Sequence, residues 1–241
     1  MTYLRKRSRY FVVLLIVAVF SSCTARIDGV LREEGSADLT LRTNLEPAAY
    51  AMIRSLMGFM GEGGTAAVLD GAAISRSLAA SPGIGSVSLR NTSPSALEGS
   101  ITLTDVGNFL SQKDGSSRFI TYTSGRTAGS SSIVIALDRN SAPEIIPMLS
   151  PDAEDYLSML MAPAVLGEAV GKQEYLNLLA SVYGRALSNE VAAARIRLAI
   201  ECPRPVTAVK GGASSGRMAQ FDIPLADILV LETPLNYEIH W

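Results

Sequence analysis

The chain has 241 residues, 48% hydrophobic and 18% charged, with a formal net charge of −2 and two cysteines. Its length can bury a substantial core, and its apolar content and low charge exclude intrinsic disorder. Two cysteines exclude a disulfide scaffold, a pI near 5.5 excludes a broadly basic nucleic-acid surface, and a single long apolar run, near the N-terminus, excludes a multi-span membrane protein.

The first element in the chain is a targeting segment. Arg5, Lys6, Arg7 and Arg9 precede ten unbroken apolar residues, Phe11 to Phe20, and Ser21, Ser22 and Cys23 follow. A basic head, a short apolar run and small residues before a cleavage point are the layout of a secretory signal. Tyr10 to Ser22 is only thirteen residues, short of the roughly 20 that cross the hydrocarbon core of a bilayer, so an uncleaved anchor is the poorer reading.

Phe20-Ser21-Ser22-Cys23 resembles the lipobox of bacterial lipoproteins, in the relaxed form of spirochaete-type lipoproteins, with Phe20 where Leu is usual. The resemblance implies a signal peptide over 1–22, cleavage before Cys23, a diacylglyceryl thioether on its sulfur and a fatty acyl group such as palmitate on the new amine. It also implies that 23–241 is a single extracytoplasmic domain of the cell envelope, on the periplasmic side or the cell surface. Each buried CH₂ contributes about 0.8 kcal/mol, so two or three acyl chains hold a water-soluble domain at a membrane almost permanently. Cleavage removes four basic residues and no acidic one, which moves the formal charge from −2 to −6. A thioether at Cys23 leaves Cys202 without a disulfide partner.

Ile27 to Glu34 reads as a first strand broken by Gly35. Ala37, Leu39, Leu41, Thr43 and Leu45 alternate with polar residues, the period of a half-buried strand. Pro47 opens a helix over Ala48 to Met60, and a second helix over Gly71 to Ala80 stops before Ser81-Pro82-Gly83. Short β-prone runs follow at Val87, Leu89, Ile101, Leu103, Phe119–Thr123 and Ile133–Leu137, with a helical connector over Asp105 to Gln112. Helices are predicted over Ala142–Leu149, Pro151–Leu166 and Lys172–Ser188, the last with Leu176, Leu179, Tyr183 and Leu187 on one face. Ile196 to Cys202 alternates as a strand. Val206–Val209 and Arg217–Ile223 form a hairpin about Gly211-Gly212, and Leu235 to Trp241 closes the chain as another strand. The expectation is an α+β fold with a largely antiparallel sheet packed with several helices.

Chemistry is harder to find. With one histidine, zinc ligation by His and Cys lacks ligands, and Asp152, Glu154 and Asp155 after Ser150-Pro151 read as acids favoured in a helix's first turn. Gly58 to Gly64 is glycine-rich but lacks the Lys-Ser/Thr of a phosphate loop. Gly212-Ala213-Ser214-Ser215-Gly216 matches the GxSxG string, with Asp227 and His240 following in hydrolase order. Its flanks read as strand, turn, strand, however, whereas a nucleophile elbow needs strand, turn, helix. Cys202 falls on the apolar side of its strand, where a thiol is inert.

What stands out is apolar excess. Met52, Met57 and Met60 lie in the first helix, and Met159 and Met161 lie in an uncharged run from Tyr156 to Gly167. Methionine-bearing surfaces adapt to varied apolar partners, although helices that merely cover a sheet carry the same signature. The lipobox, the Gly35-Ser36-Ala37-Asp38-Leu39-Thr40-Leu41 strand and the aromatic closing strand resemble LppM-type bacterial lipoproteins, a likeness that implies no catalytic residue. The expected function is a lipid-anchored, non-enzymatic lipoprotein of binding or structural type. Its partners would be the membrane, through the lipid, and a hydrophobic ligand or an envelope protein, with no nucleic acid, metal or cofactor. The alternative is an envelope serine hydrolase using Ser214, Asp227 and His240.

Overall fold

The computed structural model describes residues 24–59, 68–110, 119–142, 160 and 162–241. Among these, seven strands form one sheet: β1 (Thr24–Leu31), β2 (Ala37–Asn44), β3 (Ile84–Ser93), β4 (Ala96–Leu103), β7 (Arg195–Glu201), β9 (Ala213–Ser215) and β10 (Met218–Pro224). Their order is β3-β4-β2-β1-β7-β10-β9. Every neighbouring pair is antiparallel except β1 and β7, which run parallel with Thr24 opposite Arg195 and Val30 opposite Glu201.

The alternation seen in the sequence gives the sheet two unlike faces. Leu41, Leu89, Leu97, Ile101, Ile196, Ile200, Phe221 and Ile223 are buried on one side. Arg42, Arg90, Ser100, Arg197 and Asp222 are exposed on the other. Burying one such aliphatic or aromatic side chain contributes about 1.5–3 kcal/mol, and a one-residue slip would turn every one of them to water, so register is strongly set.

Helices cover the apolar face. They are α1 (Pro47–Phe59), α2 (Gly71–Leu78), α3 (Val106–Leu110), α4 (Pro163–Leu166), α5 (Lys172–Tyr183), α6 (Arg185–Ala193) and α7 (Leu225–Val230). Ile53, Leu78, Tyr175, Leu179, Leu187, Val191 and Leu229 join the sheet's buried residues in one cluster. Asp70 caps α2 by accepting from the Ala73 N–H. The first turn of α1 contains no acid, and Glu190 of α6 supplies one: its two carboxylate oxygens accept from the Ala48 and Ala49 N–H groups at 3.0 and 2.9 Å.

A second sheet, β5-β6-β11-β8, joins β5 (Ile120–Thr123), β6 (Ser132–Leu137), β8 (Ala208–Lys210) and β11 (Leu235–His240), all antiparallel. It meets the large sheet through Tyr237, whose ring stands edge-on to Phe221 at 5.7 Å. Arg204 ties its loop, donating to the Gly125 carbonyl and the Ser131 hydroxyl. The architecture is α+β, as expected.

Two expectations need correction. The helix predicted over Lys172–Ser188 is two helices, because Gly184 adopts φ +91° between α5 and α6. The predicted face still turns to the core, with Leu179 and Leu187 buried and Leu176 and Tyr183 half-buried against it, joined by the fully buried Tyr175, while Leu178 and Val182 are exposed. Gly211-Gly212 is not a hairpin turn. It carries the chain from β8 in the small sheet to β9 in the large one, and the hairpin turns at Gly216-Arg217 between β9 and β10. The predicted helix Ala142–Leu149, apart from Ala142, and most of Pro151–Leu166 lie outside the described residues, as do Asp152, Glu154 and Asp155.

Candidate functional site

Cys23 lies outside the described residues, and β1 begins at the next one, Thr24. That strand lies in the middle of the sheet, hydrogen-bonded on both sides, to β2 and β7.

The methionines divide. Met52 is half-buried and packs against the core, which is the covering-helix arrangement. The Met57 side chain and Met60, Met159 and Met161 lie outside the described part of the structure. Tyr175, on α5, is fully buried, and its hydroxyl donates to the Leu160 carbonyl at 3.2 Å; burial pushes that phenol well above its ordinary range.

The hydrolase candidates fall on three elements. Ser214 is exposed on β9, the edge strand of the large sheet. Asp227, in α7, accepts from the Lys172 ammonium at 2.8 Å. His240, on β11 of the small sheet, stands 3.5 Å from Glu238. Among the described residues none of the three bonds to another. The GxSxG string itself forms a strand and a hairpin turn with Gly216 at φ +59°, so the strand–turn–helix setting of a nucleophile elbow is missing.

Cys202 is 1% exposed, and burial pushes its thiol up to about 12. That is the setting of an inert structural cysteine. Among the described residues no group of His, Cys, Asp and Glu is arranged to hold a metal ion, and no helix is long and apolar enough to cross a membrane.

One small cleft, of about 160 Å³, is lined by Lys172, Asp227, Val230, Glu232 and Thr233. The sequence reading did not find it, since its residues meet only when α5 and α7 pack. Its charges satisfy one another: Glu232 accepts from the Lys172 backbone N–H at 2.9 Å while the Lys172 ammonium holds Asp227. It is well below the roughly 300 Å³ at which small-molecule pockets begin. The cleft reads as a capped helix start.

The sequence also hid a feature of the open sheet face. Strand pairing places Arg90, Glu98, Arg42, Arg26, Arg197 and Asp222 directly opposite one another, in that order, across β3, β4, β2, β1, β7 and β10. Arg90 pairs with Glu98 at 2.5 Å and Arg26 with Asp28 at 2.8 Å. Among the described residues, Arg42 and Arg197 have no acidic partner and are exposed. Alternation alone puts each arginine on the polar side, but their alignment needs the register.

No family model matches the chain, and no curated protein matches it. Among solved structures, the NMR structure of the folded domain of the Mycobacterium tuberculosis LppM protein is similar, with a TM-score of 0.40 and 9% sequence identity over 91% of this chain and 89% of that one. A likeness of that strength transfers no function.

Proposed function

We propose that this chain is a lipid-anchored extracytoplasmic lipoprotein of non-enzymatic, binding or structural type, tethered by acyl groups on Cys23. The observation that carries the reading is the ordered run of basic residues, ten apolar residues and Phe20-Ser21-Ser22-Cys23. The binding role, toward a hydrophobic ligand or an envelope partner, draws on apolar helix surface: Leu178 and Val182, one turn apart on α5, are 38% and 53% exposed.

The test is metabolic labelling with a radioactive fatty acid. The native chain takes up label and partitions with membranes, whereas Cys23→Ser takes up none. Label retained in the serine variant would overturn the proposal.

A further inference from the structure

We propose that the arginine-rich end of the open sheet face rests on anionic phospholipid headgroups, so that the domain lies on the bilayer in a fixed orientation. This deepens the reading that Cys23 is acylated and rests on it.

Position comes first. Arg26 is three residues from Cys23 on the strand that the tether would continue, and Arg42 and Arg197 flank it on the two neighbouring strands. Adjacent strands lie about 4.8 Å apart, so three guanidinium stems emerge side by side within reach of the acylated residue. Arg195 lies two residues nearer that end of the sheet, opposite Thr24.

Charge comes second. Like charges directly opposite on paired strands are destabilising, yet this sheet aligns three arginines and neutralises only the middle one, through Asp28. The remaining acids near the row are Glu98, opposite Arg42 but held by Arg90, Asp222, opposite Arg197 but forming no ion pair with it, and Glu46 on the loop after β2. Farther from Cys23 the same face turns neutral, with Thr40, Ser88, Ser100 and Gln220, and then self-paired, with Arg32–Asp38 and Arg217–Glu201. The unneutralised cations are thus gathered where a bilayer would be.

Chemistry comes third. A guanidinium offers a planar fork that matches phosphate oxygens, and it sheds water more readily than an ammonium. With residues 1–22 removed the chain carries a formal charge of −6, so an anionic surface repels the bulk of the domain and attracts this strip. That opposition fixes which face turns down. Each arginine near an anionic membrane surface is worth about a fivefold change in binding.

The experiment uses the acylated chain reconstituted into vesicles of phosphatidylcholine alone, or of phosphatidylcholine with phosphatidylglycerol, each doped with a headgroup quencher. A fluorophore is placed at Ser88→Cys on the open face or at Val182→Cys on α5, with Cys202 buried and unreactive. The expected result is strong quenching at position 88 only on vesicles containing phosphatidylglycerol, falling about fivefold with each of Arg42→Ser and Arg197→Ser. Both arginines are exposed and unpaired, so their loss leaves the fold intact. Equal quenching on both vesicle types, or stronger quenching at position 182, overturns the proposal. Mass spectrometry of the same sample reads the anchor separately. Acylated Cys23 with equal quenching overturns the orientation alone, and unmodified Cys23 overturns the anchor together with the orientation built on it.

Discussion

The contact between Glu190 and the start of α1 is the place where one substitution should reveal how the helical layer is fastened. With Pro47 opening the helix, the Ala48 and Ala49 N–H groups have no partner within the helix, and α1 has no acid in its first turn. Glu190 answers both with a bidentate, charge-assisted contact from α6, at 3.0 and 2.9 Å. Hydrogen bonds to a charged group are each worth about 1.5–3 kcal/mol, and the half-buried position lets water replace part of that. Glu190→Ala should therefore lower stability by about 2–3 kcal/mol. Glu190→Gln keeps one acceptor and loses the charge that favours a helix N-terminus, and should cost about 1 kcal/mol. Urea unfolding followed by tryptophan fluorescence is the assay, since Trp241 is the chain's one tryptophan and is 2% exposed. The slope of stability against urea should stay constant while the midpoint falls. An alanine variant within about 0.5 kcal/mol of the native protein would refute the reasoning.

Other outcomes follow from the same structure. Cys202 should resist iodoacetamide in the native protein and react once it unfolds. Its thiol is raised from about 9 to about 12 in the fold, so the folded state holds a proton the unfolded chain gives up. This contribution to stability is intact below about pH 9 and declines above it, and Cys202→Ala should flatten that decline in an alkaline titration of the unfolding midpoint. Gly99→Ala should cost about 4 kcal/mol or more, because a Cβ there would lie 1.9 Å from the Ser88 carbonyl oxygen, far inside van der Waals contact. Gly184→Ala meets nothing within 4 Å and should cost less, about 1–3 kcal/mol, for a backbone at φ 91° and ψ 159° that is essentially confined to glycine; equal losses of melting temperature in the two variants would count against this distinction. Tyr175→Phe should cost about 1–2 kcal/mol in urea unfolding, since it strands the Leu160 carbonyl among apolar neighbours.

Much of the fold was legible because its signals are local. The period-two runs at Ala37–Leu45, Ile196–Cys202 and Leu235–Trp241 are strands with the expected residues inside, and Pro47 does open a helix. What failed was non-local or depended on one backbone angle. Leucines spaced through Lys172–Ser188 suit a single helix, and only the conformation of Gly184 divides it. Nothing in Ile27–Glu34 or Ile196–Cys202 announces that these segments pair with each other, or that they do so in parallel. Gly211-Gly212 sits between two strands, as a hairpin turn would, but its neighbours belong to different sheets. The same limit applies to the candidate site. Alternation identified Cys202 as buried, and the flanks of the GxSxG string read as strands, but strand β9 inside that string was not legible and the arginine row exists only once six strands are in register.

The parallel pairing of β1 with β7 has a consequence for how the molecule is made. A chain that leaves the ribosome from its N-terminus produces β1 first, and can pair it with β2 through a tight turn almost at once. Its other edge must wait until Arg195–Glu201 has been synthesised. For most of that interval the middle of the final sheet is a bare border of unpaired amides and carbonyls, the kind of surface that recruits foreign strands. Nascent chains that stop short of residue 195 would remain in that state, and completing the last fifth of the protein is what seals the sheet along its centre.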